Sequence, residues 1–554
     1  MKNTVFTVRI FLCAVLCMSL LCSAAGIDSA KSDNAELGAV FSRLENGDIS
    51  VCLNGTAGEG ASLIFAVYDK NGALSNVKIA PGTTKEYVIA NCSDMQSVRV
   101  FARKGEGLLI PVASSPGIKT SDIETVPDVL RVREDGQLVH KDGKTVVLRG
   151  VNFGGWLIQE TWMCPLVAFD NNVTVKGGKE NGWANLDTLN ALESKFGANG
   201  ASALMQKYYD SYITEVDFKN VRDLGFNCVR IPFWYRNFIS DENGTYITDN
   251  DDDNPGFKKL DWACKMAEKY GLYLILDMHG CPGGQSGDHS CGKVGRNYLY
   301  KEEKYQIIME ELWVRIAKRY RKKTCVAAYD IMNEPLNNAN ANYGVSSKYA
   351  ANPWEDKTLR VEVYDRMIKA VRKADPYHVI TIEGIWRISY LPDPSDYGWT
   401  DMMYQLHSYD SDDSTTKALV KSISDKMKEY GVAGYMGEFN PLVYNKSAAE
   451  LMDKANISYT LWNYKVTGIL SDGYKNWGLY YKSFSADELY NICGQSAFSK
   501  ISSSWNGVML STKSLTDSEI KNMYSNWWSA EKLATENYTL NNELKAIMGT
   551  KQKN

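Results

Sequence analysis

From residue 146 onward, apolar runs of strand length alternate with amphipathic stretches of helical period. Eight such runs occur: VVLRGVNF (146–153), FNCVRIPF (226–233), LYLILDMHG (272–280), VAAYDIMNE (326–334), HVITIEG (378–384), MMYQLHSY (402–409), VAGYMGE (432–438) and ISYTLWNY (457–464). Nearly continuous apolar runs of this length suit strands buried on both faces of a parallel sheet. The stretches between them, such as TEVDFKNVRDLG and KLDWACKMAEKYG, end in the glycine that stops helices. Strand–helix units repeated in this way predict an α/β protein, a (β/α)8 TIM barrel over residues 128–548. That span exceeds the roughly 250 residues of a minimal barrel, so the surplus is expected in loops after strands one, three, four and eight and in a C-terminal helical extension.

Residues 36–115 read differently. Short alternating runs (ISVCL, SLIFAVY, EYVIA, SVRVFA) are separated by the turn signals NGT, KNG and PGT, which predicts a small accessory β-sandwich. None of the 14 tryptophans precedes Trp156, and Phe65 and Tyr68 read as core. A spacer or docking role is therefore favoured over sugar binding for this domain. Residues 116–127 read as a linker. Residues 1–25, with Lys2 and Arg9 before an apolar stretch and then Ser23, Ala24 and Ala25, read as a secretory signal peptide, with lipid modification at Cys22 as the less favoured alternative.

Composition narrows the partners. A net charge of −4 over 554 residues, with no basic run, argues against nucleic acid. No later segment approaches the roughly 18 apolar residues of a membrane span. A secreted or cell-surface monomer without a transmembrane segment is expected. Of the 12 cysteines, nine remain once Cys13, Cys17 and Cys22 leave with the signal, so at least one thiol stays unpaired. Cys281 with Cys291, and Cys52 with Cys92, are spaced so that they could bridge, whereas Cys228 and Cys325 read as small buried hydrophobes. No His/Cys cluster has zinc-like spacing, so neither a metal nor another cofactor is expected.

In a barrel of this kind the C-terminal strand ends share one cavity. The residues at those ends are Asn152, Arg230, His279, Asn333 with Glu334, Glu383, His407 with Tyr409, Glu438, and Trp462 with Asn463. Taken singly, each has an ordinary structural reading as a turn residue, an ion pair or a core ring. Together they set two carboxyl groups, Glu334 and Glu438, on one rim, and glycosidic cleavage needs such a pair flanking one bond.

Across residues 126–477 the chain resembles glycoside hydrolase family 5, the retaining β-glycosidases of clan A. The resemblance rests on arginine at strand two, histidine at three, Asn-Glu at four, His-x-Tyr at six, glutamate at seven and tryptophan at eight. GVNFGGWLIQETW and DMHGCPGGQSGDHS look most like its exo-1,3-β-glucanase branch, where an equivalent of Glu160 faces glucose hydroxyls. WNYK (462–465) keeps that branch's Trp-x-x-Lys, but the continuation VTGILSDGYKNWGLY departs from it. The resemblance implies a β-glycan or β-glucoside substrate, with β-1,3-glucan-like substrates favoured. Other β-glucans, mannan or a glycolipid glucoside remain as alternatives, and an inactive carbohydrate-binding barrel is the reading from a different class. It also implies Glu438 as nucleophile, Glu334 as acid/base, and Arg230, His279, Asn333, His407, Tyr409, Trp462, Glu160 and Trp156 as supporting or substrate-binding residues. Trp162, Trp234, Trp386 and Trp399 are further candidate walls for sugar subsites.

Overall fold

The computed structural model describes residues 35–548 apart from 37, 45–47, 54–59, 91–94, 105–112, 116–117, 120–125, 166, 170–183, 337–357, 471–473, 505–506 and 511–514. The expected signal peptide and Cys92 lie outside the described residues. The chain forms two compact units, Met1–Val126 and Pro127–Asn554.

The first unit is all β. One sheet runs Ala35–Glu36, Ala113–Ser114, Met95–Lys104, Ala61–Asp69, Leu74–Pro81, and a second runs Ala39–Arg43, Ile49–Leu53, Glu86–Ile89. Alternation drives the pairing: Leu63, Phe65 and Val67 point inward from one sheet, meeting Ile49, Val51 and Ile89 from the other in one buried cluster. Phe65 is fully buried and stacks on Tyr87 with ring centroids 4.5 Å apart, so its ring offers no sugar platform. Part of the expected linker belongs to this unit, because Ile118–Lys119 pairs with Ser97 and Val98.

In the second unit, eight parallel strands close into a barrel. They are β1 (Arg149–Asn152), β2 (Cys228–Trp234), β3 (Tyr273–Gly280), β4 (Val326–Asp330), β5 (Val379–Glu383), β6 (Met402–Ser408), β7 (Ala433–Phe439) and β8 (Ser458–Leu461). Every strand falls on the apolar run that predicts it, with β2 and β7 extending one residue past theirs, to Trp234 and Phe439. Helix Pro255–Tyr270 shows the local logic: Asn254 accepts from Gly256 N, proline opens the first turn, and Gly271 closes it with φ 64°. The hairpin Arg131–Val132/Leu138–Val139 carries Leu138 into a cluster with Leu148, Cys228, Ile275, Ala328, Val379, Met403 and Tyr435, which fills the barrel interior away from the C-terminal rim.

The C-terminal extension is not purely helical. Lys465–Ile469, Tyr480–Phe484 and Thr539–Leu540 form a sheet, and Gly507–Leu510 pairs with Val167–Phe169 from the loop after β1. Helices Ala486–Phe498 and Asp517–Trp527 pack on each other, fully buried Trp527 lies 5.7 Å from the Phe484 ring, and Trp528, just past the second helix, donates from Nε1 to Pro165 O. The longer loops after β1 and β8 thus become one satellite layer.

Lys465 ties that layer to the barrel. Its buried ammonium donates to Tyr212 O and Leu533 O and sits 4.6 and 4.3 Å from the ring centroids of Tyr212 and Tyr538. Burial lowers it to about 8, against the pull of Asp217 and Glu536. The unfolded chain therefore binds this proton more tightly than the folded one, and stability gains as pH rises from about 8 toward the ordinary lysine range. Lys465→Met is expected to remove a gain of about 2 kcal/mol between roughly pH 8 and 9.5, read from urea unfolding at both values.

Cys281 and Cys291, whose spacing would allow a bridge, do not form one. Both are buried thiols, with Cys281 Sγ donating to Met278 O and Cys291 Sγ to Asp288 O. Cys228 and Cys325 are buried, as the apolar runs imply.

Candidate active site

The site is organised by one cation. Arg230, from the middle of β2, is fully buried, and every N–H of its guanidinium faces an oxygen. Nε donates to Asp330 Oδ2 at 2.9 Å, and Nη1 donates to Asn152 Oδ1 at 3.1 Å and Glu438 Oε1 at 3.0 Å. Nη2 donates to Asn333 Oδ1 at 2.8 Å and lies 3.1 Å from Asp277 Oδ2. Strands β1, β2, β3, β4 and β7 are thereby joined at one point. Burial works against the charge on Arg230, and Asp277, Asp330 and Glu438 outweigh it, holding the guanidinium well above its ordinary value. Burial in turn pushes Asp277 and Asp330 up to about 7 each, with Arg230 opposing the rise. Neither aspartate was singled out from the sequence. Their signal was a carboxylate inside an apolar run, which is expensive unless paired.

This arrangement orients Asn333. With its oxygen taken by Arg230, its amide nitrogen lies 3.3 Å from His279 Nε2, while His279 Nδ1 lies 2.8 Å from Asp277 Oδ2. Asp277 Oδ2 also faces Arg230 Nη2, which can only donate, so this oxygen accepts, the His279 proton sits on Nδ1 and Nε2 accepts from Asn333, leaving a second amide proton available for a ligand. The His279 ring stacks on Trp462 with centroids 5.4 Å apart and planes 5° apart. Trp462 precedes a cis peptide bond to Asn463.

Glu438 and Glu334 meet across His407. A register shift after Leu406 sets His407 opposite Glu438 on the neighbouring strand. His407 Nδ1 is 3.0 Å from Glu334 Oε1 and 3.5 Å from Glu438 Oε2, and one atom from each of the three side chains lies within 4.8 Å of the others. A divalent cation could bridge a set of that spacing, but the Arg230 guanidinium 3.0 Å from Glu438 disfavours one. Tyr409 donates to Glu438 Oε2 at 2.7 Å. Gly437, just before Glu438, has no room for a side chain, since a Cβ there would come within 2.6 Å of Gln405.

The electrostatics differ between the two glutamates. Burial raises both, Glu334 to about 7 and Glu438 in the same direction. Arg230 and the Tyr409 hydroxyl bond directly to Glu438, which favours its ionised form, whereas Asp288 and Glu160 add to the rise at Glu334. Burial also lowers His407 to about 3, so the imidazole between the glutamates is neutral. Glu334 itself is in the left-handed region at φ 41°, before Pro335, where an extended residue is the norm. Its N–H donates to Glu383 Oε2 at 2.6 Å, and Gln285 Nε2 donates to Asn333 O and His279 O, both at 2.8 Å. Glu383 and Gln285 thus hold the strained corner. Burial, with Glu334 and Asp330 beside it, holds Glu383 well above the ordinary carboxylate range.

An aromatic wall rises from Tyr409. Its ring lies 6.4 Å from Trp386, 5.5 Å from Tyr444 and 5.7 Å from Trp477, and Trp477 lies 5.3 Å from Trp162. Trp162 Nε1 donates to Glu160 Oε2, joining Glu160 to the same rim. Trp156 is a correction: its indole is 1% exposed, donates to Tyr209 O and packs on Phe153 and Trp262, away from the carboxylates. Its neighbour Gly155 adopts φ 82°, a left-handed turn in which a Cβ would meet Cys164 Sγ at 2.7 Å. Trp234 and Trp399 are likewise buried in packing, Trp399 donating to Asp365 Oδ1. Tyr444 and Trp477 lie in segments without periodicity, so the sequence pattern does not mark them.

Comparison with known proteins agrees with this geometry. The family model for cellulase (glycosyl hydrolase family 5) matches residues 189–468. A β-xylosidase of Phanerodontia chrysosporium is 27% identical over 60% of this chain and 70% of its own length. A probable glucan 1,3-β-glucosidase A of Aspergillus niger is 31% identical over 37% of this chain and 45% of its own, and glucan 1,3-β-glucosidase 1 of Schizosaccharomyces pombe is 29% identical over 34% and 44%. The chain thus spans less than half the length of these two glucosidases. On the family match and the barrel that carries it, the chain belongs to glycosyl hydrolase family 5.

Proposed function

We propose that this protein is a retaining β-glycosidase that hydrolyses β-linked glucans or glucosides by double displacement, with β-1,3-linked glucose favoured. The observation that carries the reading is the approach of a Glu334 oxygen and a Glu438 oxygen to within 4.8 Å. Retaining enzymes hold their two carboxyl groups about 5–5.5 Å apart, whereas inverting enzymes leave about 6.5 Å or more for a water. In this reading Glu438, held by Arg230 and Tyr409, attacks the anomeric carbon as Glu334 gives its proton to the departing oxygen. Glycosylation removes the negative charge of Glu438. The Glu334 pKa then falls, and as a carboxylate it takes a proton from the water that releases the sugar. The free amide proton of Asn333 is placed for a sugar 2-hydroxyl, a contact that strengthens in the transition state. The apolar stretch after Arg9 supports export.

The relatives named for glucan 1,3-β-glucosidase activity support glucose, and the β-xylosidase, whose match covers the largest share of the chain among the three, supports a pentose as the second reading. Activity on laminarin, pustulan, cello-oligosaccharides, mannan, a glucosylceramide and aryl β-xyloside separates these readings. Glucose released from laminarin is the expected result. Turnover of the xyloside alone would move the assignment to the pentose.

Arg230→Lys keeps a charge but strips most of the hydrogen bonds that hold Glu438, Asn333, Asp277 and Asp330 in register. It is expected to lower kcat/KM by roughly 10²-fold, in the range of losing one preorganised donor, and to lower the melting temperature. Steady-state kinetics and thermal melts on the same preparation check both.

A further inference from the structure

His289 lies outside the eight strands, in the loop after β3, and both its ring nitrogens are engaged by acids. Nε2 is 2.8 Å from Glu160 Oε2 and Nδ1 is 2.8 Å from Asp288 Oδ1. An ionised carboxylate only accepts, so both nitrogens must donate, and only the imidazolium does that. We propose that His289 is a positioning residue, an imidazolium clamped between Glu160 and Asp288 that holds Glu160 as an oriented anion for sugar hydroxyls. Loss of its proton then limits substrate binding on the alkaline side.

The inference rests on the proposed glycosidase reading, and the geometry supplies the rest. Glu160 Oε2 is saturated by His289 and by Trp162 Nε1 at 2.6 Å, while Oε1 receives no hydrogen bond among the described residues. Trp162 packs on Trp477, and Trp477 on Tyr409, whose hydroxyl holds Glu438. Glu160 therefore stands on the same aromatic wall as the nucleophile with one oxygen unused. The groups facing the clamp are consistent. The Cys291 thiol donates to Asp288 O, Lys293 is turned to Asp187, and His279 and Glu334 sense the charges of Glu160 or Asp288 across the pocket. Burial opposes the imidazolium, but Asp288 and Glu160 hold it well above the ordinary histidine value. Burial also pushes Glu160 up, and His289, with His279 and the Trp162 indole, more than reverses that. A neutral amide at 289 would supply a hydrogen bond without the charge, leaving two acids side by side near Glu334.

The test uses the full chain. With an aryl β-glucoside near pH 6, His289→Ala is expected to raise KM at least tenfold while kcat stays within threefold, and added imidazole should restore much of the loss. His289→Gln should fall between, and its affinity for an unreactive thioglycoside should no longer weaken at alkaline pH. Nitrogen-15 NMR of the histidine rings is expected to show His289 still protonated well above the ordinary histidine range in the wild type, returning toward that range in Glu160→Gln. An ordinary titration of His289, a KM unmoved in both variants, or a loss without imidazole rescue would overturn the proposal. Wild-type protein inert on every β-glycoside would instead overturn the glycosidase reading, and the NMR titration would still decide the clamp.

Discussion

Glu438→Ala is expected to abolish hydrolysis, with kcat lower by on the order of 10⁵-fold, while a thio-linked oligosaccharide binds within a few-fold of wild type. The residue makes its contribution in the covalent step, so ground-state binding has little to lose. The small side chain opens the face where the carboxylate stood. Azide entering there would displace the aglycone while Glu334 protonates the departing oxygen, giving an α-glycosyl azide from a β-glycoside. Proton NMR of that product reads the configuration directly. Persistent hydrolysis by the variant would mean that another group attacks.

Glu334→Gln should separate the two proton transfers from the rest of the site. For a substrate with a poor leaving group, such as an alkyl β-glucoside, kcat/KM is expected to fall roughly 10²–10⁴-fold, the usual contribution of a general acid. A dinitrophenyl glucoside leaves without a proton, so its glycosylation step should be nearly spared and the covalent intermediate should accumulate. The pH profile follows from the same carboxyl. Glu334 is pushed up to about 7 by burial and must hold its proton to act as acid, so wild-type activity declines as pH rises through that value. Glu438 must be ionised, so activity also declines on the acid side of its own raised value. In kcat, where substrate binding is saturated, the alkaline limb should vanish in Glu334→Gln and the acid limb should stay. An unchanged alkaline limb in this variant would assign the titration elsewhere.

Strand positions were legible because burial on both faces leaves a run that polar residues interrupt only where they serve the barrel mouth. Asn333, Glu334, Tyr409 and Glu438 are therefore findable at the strand ends and Arg230 as a charge within the run of β2, and the closed barrel brings them together. Asp277 and Asp330 carried a comparable signal, being charges within apolar runs, but their meaning depends on a partner arginine far away in sequence. Trp156 misled because its indole sits beside a turn whose direction is set by Gly155, which no periodicity reveals. The aromatic wall of Trp162, Tyr444 and Trp477, and the His289 clamp, belong to loops brought together by tertiary packing. Their spacing along the chain has no regular relation to their spacing in space. Lys465 is the intermediate case: its place in Trp-x-x-Lys is visible in sequence, whereas its cradle of carbonyls and tyrosine faces comes from a C-terminal layer predicted only as helices.

The claim at the centre of this account is that Glu438 forms a covalent bond to the sugar while Glu334 manages the proton. Incubation with a 2-deoxy-2-fluoro-β-glucosyl fluoride, followed by peptide mass spectrometry, tests it most directly. The fluorine slows both steps and the good leaving group spares the first, so the glycosyl-enzyme accumulates. The account predicts time-dependent inactivation with one fluoroglucosyl group on the peptide bearing Glu438. A label on any other residue, or first-formed product of inverted configuration from an enzyme that never becomes labelled, would contradict it.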